Sequence, residues 1–100
     1  MLWCIFCVDK KGDDSARQSV LEEHRAYLKT QGDKIIMSGA TLSDDGETMT
    51  GSCFIISAEN RGVAEGFSNG DPFTKAGVFE SVTVTRMKKS SFNPANYETA

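Results

Sequence analysis

The sequence holds one histidine, one tryptophan and two prolines in 100 residues, and its three cysteines are an odd number. No apolar run approaches the ~18 residues a transmembrane helix needs, so no membrane partner is expected. No basic block interrupts a chain of net charge −3 and pI near 5.0, which leaves a nucleic-acid surface without electrostatic support. No glycine-rich phosphate loop precedes a helix, so no nucleotide cofactor is expected. Met1 to Val8 is apolar but has no basic residue ahead of it and no small-residue cleavage site, so a secretory signal is not expected. What remains is a small folded domain: Leu, Ile, Val and Phe make up 21 residues, just above the ~20% below which chains tend to disorder.

Without a signal segment, an odd cysteine count favours reduced thiols and a cytoplasmic compartment. Cys4 and Cys7 form a C-x-x-C, but the segment Leu-Trp-Cys-Ile-Phe-Cys-Val reads as a strand. Side chains at i and i+3 of a strand point to opposite faces, so the two thiols cannot share one metal. There is no second cysteine pair, and buried strand cysteines are the better reading than a metal or redox site.

Residues 2–8 read as a first strand and Asp9–Asp14 as a polar loop. A helix then opens at Ser15, where Ser15 and Gln18 have capping-box spacing, and closes at Gly32. Lys34–Ala40 and Gly51–Ser57 read as the second and third strands, joined by a turn-rich stretch, Thr41–Thr50. Asn60–Ser68 is a second helix weakened by Gly62 and Gly66. Asp71-Pro72 starts a further helical turn, with Asp as cap and Pro at the first position, ending near Gly77. Phe79–Met87 is the fourth strand, and the polar tail is expected to extend away from the core. The order β-α-β-β-α-β predicts an α+β, ferredoxin-like fold: a four-stranded antiparallel sheet with two helices on one face. Residues 1–89 would form this domain and 90–100 the C-terminal tail.

Strands one and three are apolar on both faces. Leu2, Cys4, Phe6 and Val8 accompany Trp3, Ile5 and Cys7, and Cys53 and Ile55 accompany Phe54 and Ile56. Helices on one side leave the second face as an apolar patch that monomers seldom tolerate. A homodimer packed sheet to sheet is the expected cover; the tail, with Phe92 and Tyr97, folding back is the alternative.

His24, midway between Val20 and Leu28, falls in the centre of the first helix's apolar stripe and points toward the sheet. Arg17, seven residues earlier, falls within about 20° of the same direction. It also sits in the first helical turn, where a cation is disfavoured. Each residue has an ordinary explanation, a hydrogen-bonded core histidine and a solvated arginine. The two explanations fit together less well than apart. Asp71 is already explained as a cap, and spacing alone does not say whether it reaches His24.

The chain resembles the YCII-related (YciI-like) family of small bacterial proteins. The resemblance lies in Asp9-Lys10, Arg17, His24, Gly39, Gly51, Asp71-Pro72-Phe73 and Ala76-Gly77-Val78-Phe79, and spans residues 1 to about 89. It implies a dimeric α/β-barrel architecture and an active site built on a His–Asp pair, here His24 and Asp71. Arg17, Phe73 and Gly39 would contact the substrate. Some family members are dehydrochlorinases. The chain departs from the family in having Leu21-Glu22 where Arg-Pro is expected and Gly39-Ala40 where Gly-Pro is common. The expected function is proton-transfer chemistry on a small molecule, elimination or isomerisation. His24 would be the acid–base group, Asp71 its orienting partner, and no metal would take part. The alternative is a non-catalytic homodimeric metabolite-binding or regulatory module.

Overall fold

The structure, a computed structural model, describes residues 1–12 and 15–100. The elements are β1 (Leu2–Asp9), α1 (Ser15–Ser19), α2 (Leu21–Thr30), β2 (Ile35–Leu42), β3 (Met49–Ser57), α3 (Arg61–Gly70), α4 (Pro72–Lys75), β4 (Phe79–Met87) and α5 (Pro94–Thr99). The strands form one sheet in the order β2-β3-β1-β4, and every neighbouring pair is antiparallel. This is the expected ferredoxin-like α+β arrangement. Residues 13 and 14 of the expected loop Asp9–Asp14 lie outside the described residues.

The core follows from strand alternation. Trp3, Ile5 and Cys7 of β1 and Phe54 and Ile56 of β3 are buried on one face, beneath Ala64 and Phe67 of α3 and Phe73 of α4. The Trp3 indole N–H, which burial would otherwise strand, donates to the Ala58 carbonyl at 3.0 Å. Cys7 faces this core, whereas Cys4 lies on the opposite face with Leu2, Phe6 and Val8, so the C-x-x-C pair is split across the sheet. On that opposite face Met37 pairs with Ile55, and Met87 with Leu2. Phe6, Met37 and Met87 remain about half exposed there, and among the described residues no helix covers them.

Three expectations are corrected. The single helix from Ser15 is two segments, α1 and α2, broken at Val20, whose φ of −122° and ψ of 17° are not helical. The two segments are held at different places: α1 is tied to the ends of β1 and β3 through Arg17, and α2 packs on α4. The break also reverses the dipole argument, because Arg17 falls in the last turn of α1, where a cation is favoured. The tail, read from the sequence without an element of its own, carries the short helix α5 while staying clear of the core, since all of it is exposed. Strands β2 and β3 run further into their connection than expected, so the turn shortens. It is closed by Gly46 at φ +77° and by Ser43, whose hydroxyl donates to Asp45.

Gly51 stands on β3 where β1 leaves no room for a side chain. A Cβ built there runs into the carbonyl oxygen of Cys7, a backbone atom that cannot swing aside. Gly51→Ala is therefore expected to destabilise the fold by at least ~2 kcal/mol, read as a lower urea midpoint with an unchanged slope.

Candidate active site

The tripeptide Asp71-Pro72-Phe73 builds most of the site. Pro72 starts α4 where its missing N–H costs nothing, and the Asp71 side chain caps the helix by accepting from the Phe73 N–H at 2.9 Å. The same carboxylate oxygen, Oδ1, lies 2.7 Å from His24 Nδ1. The His24 ring stacks on Phe73, with centroids 3.7 Å apart and planes 8° from parallel. One turn of chain thus supplies both the acid and the flat surface that orient the imidazole. His24 and Asp71 are both buried, at 8% and 2% exposure. An ionised carboxylate only accepts, so the network assigns the proton to Nδ1 and leaves Nε2 as the ring nitrogen free for chemistry.

Arg17 is buried as well, at 4% exposure. Its Nε and Nη2 grip both oxygens of Asp9 at 3.0 and 2.8 Å, the two-pronged geometry that suits a guanidinium. Nη2 also donates to the Gly51 carbonyl and the Ser52 hydroxyl. The guanidinium carbon lies 4.6 Å from the centre of the Phe73 ring. Arg17 and His24 therefore meet on one aromatic side chain. Among the described residues, the hydrogen bonds of the guanidinium run through Nε and Nη2 and none engages Nη1.

A cavity of about 250 Å3 opens between α2 and β2. Arg17, His24, Phe73 and Gly39, four of the five residues singled out from sequence, line it. Asp71 sits behind the imidazole rather than in the wall. A Cβ at Gly39 would meet open space, so nothing within this chain requires glycine there. Sequence reasoning missed Asp9 as the partner of Arg17, and Ser52, Ser38 and Arg25 in or beside the wall. Asp9 had a signal: it continues the series Trp3, Ile5, Cys7 on the core-facing side, where a carboxylate needs a cation. A larger cleft, about 710 Å3, lies beyond Arg17 against Lys10, Lys11 and Gln18, but touches none of His24, Asp71 or Phe73.

Cys7 is no nucleophile in this setting. Burial foremost, then the negative charge of Asp71, pushes its thiol up to about 12 from 9.0. Below pH 9 the folded and unfolded chains both keep this proton, so burial of the neutral thiol stabilises the fold in full. Between pH 9 and 12 only the unfolded chain releases it, so stability falls as pH rises. Urea midpoints measured from pH 8 to 11 are expected to decline more steeply in the wild type than in Cys7→Ala.

The model of the YCII-related domain family matches residues 1–88. The chain is 31% identical over 96 residues to Protein YciI of Escherichia coli O6:H1, and equally to that of Shigella flexneri, covering 89% of this chain and 98% of each relative. Among solved structures it superimposes with a TM-score of 0.81 on 5-chloro-2-hydroxyhydroquinone dehydrochlorinase (TftG) from Burkholderia phenoliruptrix AC1100, in complex with 2,5-dihydroxybenzoquinone. The two are 37% identical, over 90% of this chain and 96% of that one. With a family match that runs through all four strands and the whole of the site, the chain belongs to the YCII-related domain family.

Proposed function

We propose that this protein catalyses proton transfer on a small, single-ring, oxygen-bearing organic molecule, in an elimination of the dehydrochlorination type or a related isomerisation. The observation that carries the reading is the buried 2.7 Å contact between His24 Nδ1 and Asp71, beside a cavity that His24 lines. Nε2 takes a proton from the substrate, and the electron pair left behind expels chloride. The net loss is HCl. Asp71 keeps the imidazole in the required tautomer and stabilises the imidazolium that forms. Arg17 offers Nη1 to the oxygen on which negative charge develops, and Asp9 holds that guanidinium in place. Phe73 presents its ring at the cavity wall, and the backbone at Gly39 forms the opposite side.

The cavity, about 250 Å3, is below the ~300 Å3 at which drug-sized pockets begin, which suits one ring and few substituents. A solved relative named as a dehydrochlorinase, 37% identical, supports the same reaction class. The three free thiols accord with a reducing, cytoplasmic compartment. The reading includes a homodimer, supported by the half-exposed Phe6, Met37 and Met87 on the uncovered sheet face.

The test is chloride release from a panel of chlorinated hydroquinones. His24→Ala is expected to lower kcat about 10²–10⁴-fold. Asp71→Asn keeps an oxygen to cap α4 but loses the charge, and is expected to cost a similar factor with the fold intact by circular dichroism. Binding of these compounds without turnover by the wild type would leave a metabolite-binding module instead.

A further inference from the structure

Beyond Met87 the chain continues as an arm with nothing of its own to rest on. Every residue from 88 to 100 is exposed, including the aromatic rings of Phe92 at 78% and Tyr97 at 65%. The hydrogen bonds of α5 and its flanks are local: Asn96 N to Asn93, Ala100 N to Tyr97, and Thr99 Oγ1 to Asn96. A six-residue helix is marginal by itself in water, so α5 needs an external surface to persist. The family match ends at residue 88, so the arm lies outside the matched domain.

The arm does not close on its own sheet. A groove of about 580 Å3 separates residues 88–92 from Leu2, Ile36, Ile55 and Met87. A tail folded back as cover would press Phe92 onto Leu2 and Ile55, yet the ring stands clear. The groove is continuous with the uncovered sheet face, since Leu2, Ile55 and Met87 belong to both.

We propose that this groove receives the flank of a second copy of the chain, and that residues 88–100 close over it as a clasp, Phe92 and Tyr97 packing on the partner copy. The inference rests on the homodimer reading given above and adds to it the element that holds the two copies. The sheet face alone is modest. Four strands of eight or nine residues present a footprint of roughly 500 Å2 at ~4.8 Å spacing and ~3.3 Å rise, whereas a stable interface takes ~800 Å2 from each partner. Even with side-chain relief the face lies toward the small end. In a two-fold dimer each arm acts once per copy, so its contribution is doubled. The groove has an apolar floor of Leu2, Ile36, Ile55 and Met87 and a rim that includes Lys88 and Lys89, which suits a second copy of a chain of net charge −3 that itself brings two exposed aromatics.

The test is a dilution series by analytical ultracentrifugation on the full chain and on Phe92→Ala/Tyr97→Ala. Both residues are exposed in one copy, so the variant is expected to keep the wild-type circular dichroism spectrum. Its dimer Kd is expected to rise at least about tenfold, as for two truncated aromatic anchors. A dimer with unchanged Kd overturns the clasp and leaves the sheet-to-sheet dimer standing. A wild-type chain that is monomeric throughout overturns both. A photo-crosslinking side chain in place of Phe92, in mixed tagged and untagged copies, is expected to join the two. Products confined to one chain, or formed only with another protein, overturn the proposal.

Discussion

One buried carboxylate holds the site together. Asp71 Oδ1 accepts from the Phe73 backbone and contacts His24 Nδ1 at once, joining α4 to α2 across a sequence separation of 47 residues. A carboxylate at 2% exposure costs several kcal/mol to desolvate unless it is hydrogen-bonded, and both donors meet the same oxygen, Oδ1. The cap and the histidine contact are therefore two uses of one desolvation. Removing either donor would leave the buried charge with only one of the two bonds that offset its desolvation. The Phe73 ring that follows the capped turn meets the imidazole face to face, so rotation of His24 is limited from two directions.

The second anchor is Arg17, and it depends on the sheet. Asp9 ends β1 on the core-facing side, and Gly51 and Ser52 lie beside it on β3. Gly51, where β1 leaves no room for a side chain, presents its carbonyl to the same guanidinium nitrogen that Asp9 holds. The guanidinium is held by three partners from two strands and lies over the ring that His24 stacks on. Cation, aromatic and imidazole thus share one rigid assembly, the preorganisation that electrostatic stabilisation of a developing charge requires.

Much of this was legible in the chain itself. Strand alternation placed Trp3, Ile5 and Cys7 on one face and Cys4 on the other, because a two-residue period leaves no freedom once one face is buried. The apolar stripe around His24 pointed it inward, and Asp71-Pro72 announced a capped turn. The break at Val20 was not legible. A continuous hydrophobic pattern does not register that α1 and α2 are anchored to different parts of the sheet, and the dipole argument for Arg17 reversed with it. Asp9 was legible only in hindsight, from its parity with the core positions. The helix α5 opens on Asn93-Pro94, the same cap-and-proline order as Asp71-Pro72, but no apolar periodicity in this polar segment reinforces that signal.

What the sequence by itself determined is what local chemistry can encode: the order of elements, the two faces of each strand, the capped turn at Asp71 and the inward direction of His24. What only the tertiary structure decided is which of these meet. The contact of His24 with Asp71, the stack on Phe73 and the fork of Arg17 on Asp9 each depend on the crossing of helices over a twisted sheet. Distances of that kind come from the summed packing of the core, not from any residue's own preference.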